Sequence, residues 1–106
     1  MEKMAVFMSA VIFRTALGVY QNIRQRRMGE YVLVRLQTDQ EMEPEVLDRY
    51  VGKLVRSTDL VGQLDNGSYC VLFPQASVER MPAISARFNS YGIQASRDVW
   101  KNNLSI

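Results

Sequence analysis

RSTDLVGQLDNGSYCVLFP, residues 56–74, decides how the chain folds. Two short apolar runs, residues 60–64 and 69–73, flank Asp65, Asn66 and Gly67. Asn and Gly tolerate positive φ, so the stretch predicts two antiparallel strands joined by a tight hairpin. The polar Arg56-Ser57-Thr58-Asp59 segment before them separates the first strand from what precedes it.

Upstream, Val46, Leu47, Tyr50, Val51, Leu54 and Val55 keep one apolar face at helical spacing. Pro44 suits the first turn of that helix, which ends near Arg56. Residues 31–36 are dense in β-branched and aliphatic side chains and predict a buried strand. Downstream, Ser77 is placed to cap a helix carrying Val78, Met81, Ile84 and Phe88, although Pro82 suits only a first turn. Gly92 ends that helix, and residues 93–96 predict a last strand. The order βαββαβ is the split βαβ arrangement of an α+β, ferredoxin-like fold: an antiparallel sheet with helices on one face.

An extra helix precedes this unit. Val6, Ala10, Phe13, Leu17 and Tyr20 recur at steps of three and four, and Val11, Ile12, Ala16, Val19 and Ile23 widen the stripe. Arg14 and Thr15 interrupt residues 4–20, leaving an apolar run shorter than the ~20 residues a membrane span needs. Glu2 and Lys3 cancel in charge and no clean small-residue cleavage site follows, so a secretory signal fits poorly. Arg24, Arg26 and Arg27 suit the carbonyl end of the helix dipole, and Gly29 breaks the pattern. Residues 1–28 therefore read as an amphipathic linker or dimerisation helix and residues 29–106 as the domain, with a loosely held tail or truncated continuation from residue 100.

Composition narrows the chemistry. A chain of 106 residues is one domain. Thirteen Lys and Arg against eleven Asp and Glu give a formal charge of +2, too little for a broad surface tracking a nucleic-acid polymer, so any nucleotide site must be local. The absence of histidine removes the commonest general base and metal ligand. The single cysteine, Cys70, cannot form an internal disulfide and points to a reducing, cytoplasmic setting; inside an apolar strand it reads as a buried structural thiol. The six methionines are scattered, as packing residues are.

Residues 56–74 resemble the GGDEF family of bacterial diguanylate cyclases. Active members carry a strand of the type Asp-Leu-Val-x-Arg, then Gly-Gly-Asp-Glu-Phe, then a run like Ala-Val-Leu-Leu-Pro. Here the signature positions hold Asp65-Asn66-Gly67-Ser68-Tyr69, followed by Cys70-Val71-Leu72-Phe73-Pro74. The resemblance implies a nucleotide-cyclase-like fold. It also implies an inhibitory-type site for cyclic di-GMP, because the family places Arg-x-x-Asp five residues before the signature. Arg56 and Asp59 fall at that spacing, and an ungapped alignment on Pro74 puts Arg87 at the position of the site's second arginine. Guanidinium groups donate paired hydrogen bonds to guanine O6 and N7, stack on purines and offset phosphate charge, while a carboxylate accepts from guanine N1 and N2 hydrogens. The bland alternative is a surface Arg56–Asp59 ion pair near a helix end. Arg80 lies about one turn from the same site.

The same comparison argues against an enzyme. The acidic signature positions that hold magnesium in active members are Gly67 and Ser68, and the paired glycines are Asp65 and Asn66. Asp39 is at best a displaced acid, the family's Phe-Lys and Asn-Asp segment is missing, and the first two strands lie only about twenty residues apart, as though a helix were lost. The chain is thus expected to need no metal or cofactor. It is similar to the cyclic di-GMP receptors of Pel-type exopolysaccharide secretion. That likeness implies an inactive cytoplasmic receptor relaying ligand binding to a protein effector, tethered at most indirectly to an inner-membrane complex, with a homodimer through the N-terminal helix. A ligand-free scaffold working through that helix is the alternative.

Overall fold

In the computed structural model, which describes residues 7–27, 31–38, 42–64, 68–74 and 76–98, a helix α1 (Ala10–Arg27) precedes β1 (Tyr31–Thr38). There follow α2 (Pro44–Leu54), β2 (Leu60–Gln63), β3 (Tyr69–Pro74), a 3-10 turn (Val78–Arg80), α3 (Met81–Asn89) and β4 (Ile93–Asp98). The four strands form one sheet in the order β2-β3-β1-β4, with every neighbouring pair antiparallel. Strand β3 is inserted between β1 and β2, and β1 between β3 and β4, which interleaves two split βαβ units. The expected α+β, ferredoxin-like order is therefore the observed one.

The two-residue period of β1 distributes its side chains over two cores. Val32, Val34 and Leu36 join Leu47, Val51 and Leu54 of α2 and Ile84 and Phe88 of α3 on one face. Leu33 joins Cys70 and Leu72 of β3 on the other, beneath Phe13 and Leu17 of α1. Burial on both faces is why residues 31–36 read as an almost unbroken apolar run instead of alternating.

The two helices of the βαββαβ unit lie on one face of the sheet, as expected. Helices α2 and α3 share a face, but α1 takes the opposite one, because Leu33, Cys70 and Leu72 would otherwise face water. The N-terminal stripe is also narrower than its periodicity suggests. Phe13 and Leu17 are buried, whereas Val11, Ile12 and Val19 are 65%, 59% and 52% exposed.

Nor does α1 reach back through residue 8. Ser9 begins it, its carbonyl accepting from Phe13 N–H at 2.9 Å and its hydroxyl weakly from Ile12 N–H at 3.5 Å. Met8 instead makes a parallel bridge to Gly62, donating to Val61 O and accepting from Gln63 N–H, both at 3.0 Å. This contact satisfies backbone groups on the β2 edge that would otherwise be open to pairing with another chain.

Local signals place the remaining boundaries. Pro44 lies in the first turn of α2, with Glu45 near its start and Lys53 in its last turn, complementing the dipole. The conflict between Ser77 and Pro82 resolves into two elements: Ser77 precedes the 3-10 turn, and Pro82 lies in the first turn of α3. Gly92 has φ +78°, the left-handed geometry that a glycine after a helix supplies at least cost. Strands β1, β3 and β4 extend slightly beyond the expected bounds. The Asp65-Asn66-Gly67 turn, Asp39, Gly29, residues 1–6 and 99–106, and the side chains of Tyr20, Ile23, Arg24, Arg26 and Arg27 lie outside the described residues. Among the described residues no helix is long and apolar enough to cross a membrane.

A Cβ built on Gly62 would overlap the Phe13 ring, so glycine is what lets α1 approach β2. Gly62→Ala is expected to lower stability by about 1–3 kcal/mol through overpacking, read as a reduced urea midpoint. An unchanged midpoint would contradict this packing of α1 on the sheet.

Candidate functional site

Where α2 stops, the chain makes a self-locked turn. Val55 leaves the helix in extended conformation, its N–H still bonded to Val51 O. Asp59 N–H then donates to Arg56 O at 3.0 Å, while the Asp59 carboxylate accepts from Arg56 N–H through Oδ2 at 2.7 Å. Two reciprocal bonds close a four-residue loop. Asp59 thus engages the Arg56 backbone, and among the described residues the Arg56 guanidinium has no ion pair with it or with another carboxylate. The surface ion pair anticipated as the bland alternative is absent from this arrangement.

This turn forms one wall of a depression of about 290 Å³. Lys53, Leu54 and Val55 enter it from the end of α2, and Arg56, Thr58 and Asp59 from the turn. Phe73, Pro74 and Ala76 contribute from the exit of β3, and Arg80, Ile84 and Arg87 from the far side. Arg56, Asp59 and Arg87, the three residues singled out by sequence, are therefore brought together here. Arg80, Ile84 and Arg87 recur at steps of four and three, which places them along one side of α3 and its lead-in turn. Lys53 escaped the sequence reading. Its position three residues before Arg56 was visible, but only the bend at Val55 turns both toward one hollow.

The lining holds four cationic side chains, Lys53, Arg56, Arg80 and Arg87, against one carboxylate, Asp59. Arg56, Arg80 and Arg87 are exposed, so holding their charges costs little desolvation. Beneath them Leu54 and Ile84 are buried and give the hollow an apolar floor. Cationic walls over an apolar floor suit an anion that also carries flat rings. A larger hollow of about 380 Å³ between α3 and β4 has only uncharged lining residues, among them Gln37, Asn89 and Gln94. It lacks the charge contrast that selects a phosphate-bearing ligand.

No three His, Cys, Asp or Glu residues come together in a metal-capable group among the described residues. Cys70 is fully buried, and burial, reinforced by Asp98 and opposed by Arg35, pushes its thiol up to about 12. It stays protonated near neutrality and is no nucleophile. Arg35 and Asp98 form an ion pair at 3.1 Å that ties β1 to β4 beside it. Asp48, raised by burial and by Glu45, does not line the depression.

The carboxylate lock separates two substitutions. Asp59→Ala leaves Arg56 N–H without its acceptor and is expected to cost about 0.5–1.5 kcal/mol. Asp59→Asn retains a side-chain oxygen that can accept the same bond, so its urea midpoint should stay near wild type. Equal losses in the two variants would contradict the lock.

No protein-family model matches this chain, and no curated protein matches it. Among solved structures it is similar to the diguanylate cyclase SiaD from Pseudomonas aeruginosa, determined in complex with its activator SiaC. The TM-score is 0.67 at 17% identity, over 92% of this chain and 49% of that one. The chain thus spans about half the length of that cyclase. At this identity the likeness speaks for architecture alone: the four-stranded antiparallel sheet and its helices form a GGDEF-like nucleotide-cyclase fold.

Proposed function

We propose that this chain is a catalytically inactive GGDEF-like domain that binds cyclic di-GMP in the depression beside the Arg56–Asp59 turn and relays binding to a protein partner. One observation carries the reading. Arg56 and Asp59, before the hairpin, and Arg87, on a helix after it, meet in one hollow with a local excess of positive charge. In the proposed complex Arg56 and Arg87 donate to guanine Hoogsteen edges and phosphates and stack on the purines. Asp59 accepts from a guanine Watson–Crick edge, and its oxygen not bonded to Arg56 N–H remains to do so.

Inactivity follows from Gly67 and Ser68, which offer no carboxylate where active relatives hold magnesium. The relay is supported by the site's position. Its turn leads straight into β2, which is bonded to residue 8 and packed under α1. On this reading the domain works in the cytoplasm in exopolysaccharide or biofilm control and meets the membrane only through a partner. The exposed Val11, Ile12 and Val19 favour a second reading, in which α1 alone acts as a scaffold or dimerisation surface without ligand.

Calorimetric titration with cyclic di-GMP separates the two. The receptor predicts saturable binding, about tenfold or more weakened in Arg56→Ala and in the turn-preserving Asp59→Asn. No binding to the folded wild-type domain would contradict it and leave the scaffold. Magnesium-dependent conversion of GTP to cyclic di-GMP would contradict the inactive assignment.

A further inference from the structure

The side chains assigned to guanine recognition leave part of the depression unused. We propose that Arg80, together with Lys53, forms a further phosphate-binding side of this site and shares the phosphodiester charge with Arg56 and Arg87, which with Asp59 also read the bases. The inference rests on the cyclic dinucleotide reading above and adds two phosphate-binding residues to it.

Charge is the first argument. Arg56 and Arg87 less the Asp59 carboxylate leave a net charge of +1, whereas a ligand with two phosphodiesters brings two negative charges. A guanidinium that spends its parallel N–H pair on guanine O6 and N7 also has fewer donors left for phosphate oxygens. Lys53 and Arg80 line the same hollow and bring the lining to four cations against one carboxylate. That excess suits the dianion and lets Arg56 and Arg87 divide their donors between bases and phosphates.

Placement is the second. Arg80 precedes Arg87 by seven positions, so along a helix their backbones lie about 10 Å apart. Arg80 and Arg87 therefore stand on either side of buried Ile84 in the lining, spaced to engage different parts of a ligand instead of one ring. Lys53 enters from the end of α2, a separate element. Arg80 is exposed, and among the described residues its guanidinium has no carboxylate partner. Its charge is available to a ligand without first breaking an ion pair.

The test uses the whole chain and cyclic di-GMP, titrated calorimetrically at several NaCl concentrations. Arg80→Ala and Lys53→Ala are each expected to weaken binding about tenfold at low salt and to flatten its salt dependence. Arg80→Lys should keep most of the affinity, because a phosphate accepts from an ammonium as well. Arg56→Ala should weaken binding more than Arg80→Ala, because it loses base contacts as well as charge. If wild type binds and Arg80→Ala matches it in affinity and salt dependence, the phosphate role is overturned and the receptor reading stands. If folded wild type does not bind, both fall together. Circular dichroism confirms that each variant is folded.

Discussion

Burial of both faces of β1 and β3 is the constraint on which the rest of the structure depends. Val34 pairs with Val71 and Leu33 with Leu72 across the sheet centre, and the alternation of strand side chains sends each pair to an opposite face. Removing one such side chain from water contributes about 1.5–3 kcal/mol, so neither face can be left open. Helices α2 and α3 close one side and α1 the other. Close approach on the second side is possible because Gly62 carries no side chain beneath Phe13.

The same arrangement fixes where the cationic side chains meet. Helix α2 packs across the sheet and must turn at Val55 to feed β2, while β3 leaves the sheet at Pro74 and returns through α3. The end of α2, the exit of β3 and the outer side of α3 therefore border one hollow. Arg56 and Asp59 are held there by one backbone bond and one carboxylate-to-backbone bond within their own turn rather than by an ion pair between their side chains.

Much of this was legible in the sequence, for identifiable reasons. The apolar runs of residues 31–36 and 69–73, and Pro44 and Gly92 at helix ends, are local signals, and each matches an observed element. Arg56, Asp59 and Arg87 were found by spacing relative to the hairpin, and the fold brings them together. Periodicity could show that α1 has an apolar stripe but not which part the sheet covers; Val11 and Ile12 look like Phe13 until β2 is placed. The Met8–Gly62 bridge is made by backbone groups common to every residue, so composition carries no trace of it. The full cationic lining was only partly visible, because bringing Lys53 to Arg80 depends on the angle between two helices rather than on any motif.

The central claim is that cyclic di-GMP occupies the hollow between the Arg56–Asp59 turn and α3. Amide NMR of the isotopically labelled chain titrated with cyclic di-GMP tests it most directly. The account predicts saturable shift changes concentrated in residues 53–59 and 80–87, with smaller ones in β2. No changes, or changes confined to the exposed side of α1 around Val11 and Val19, would contradict it.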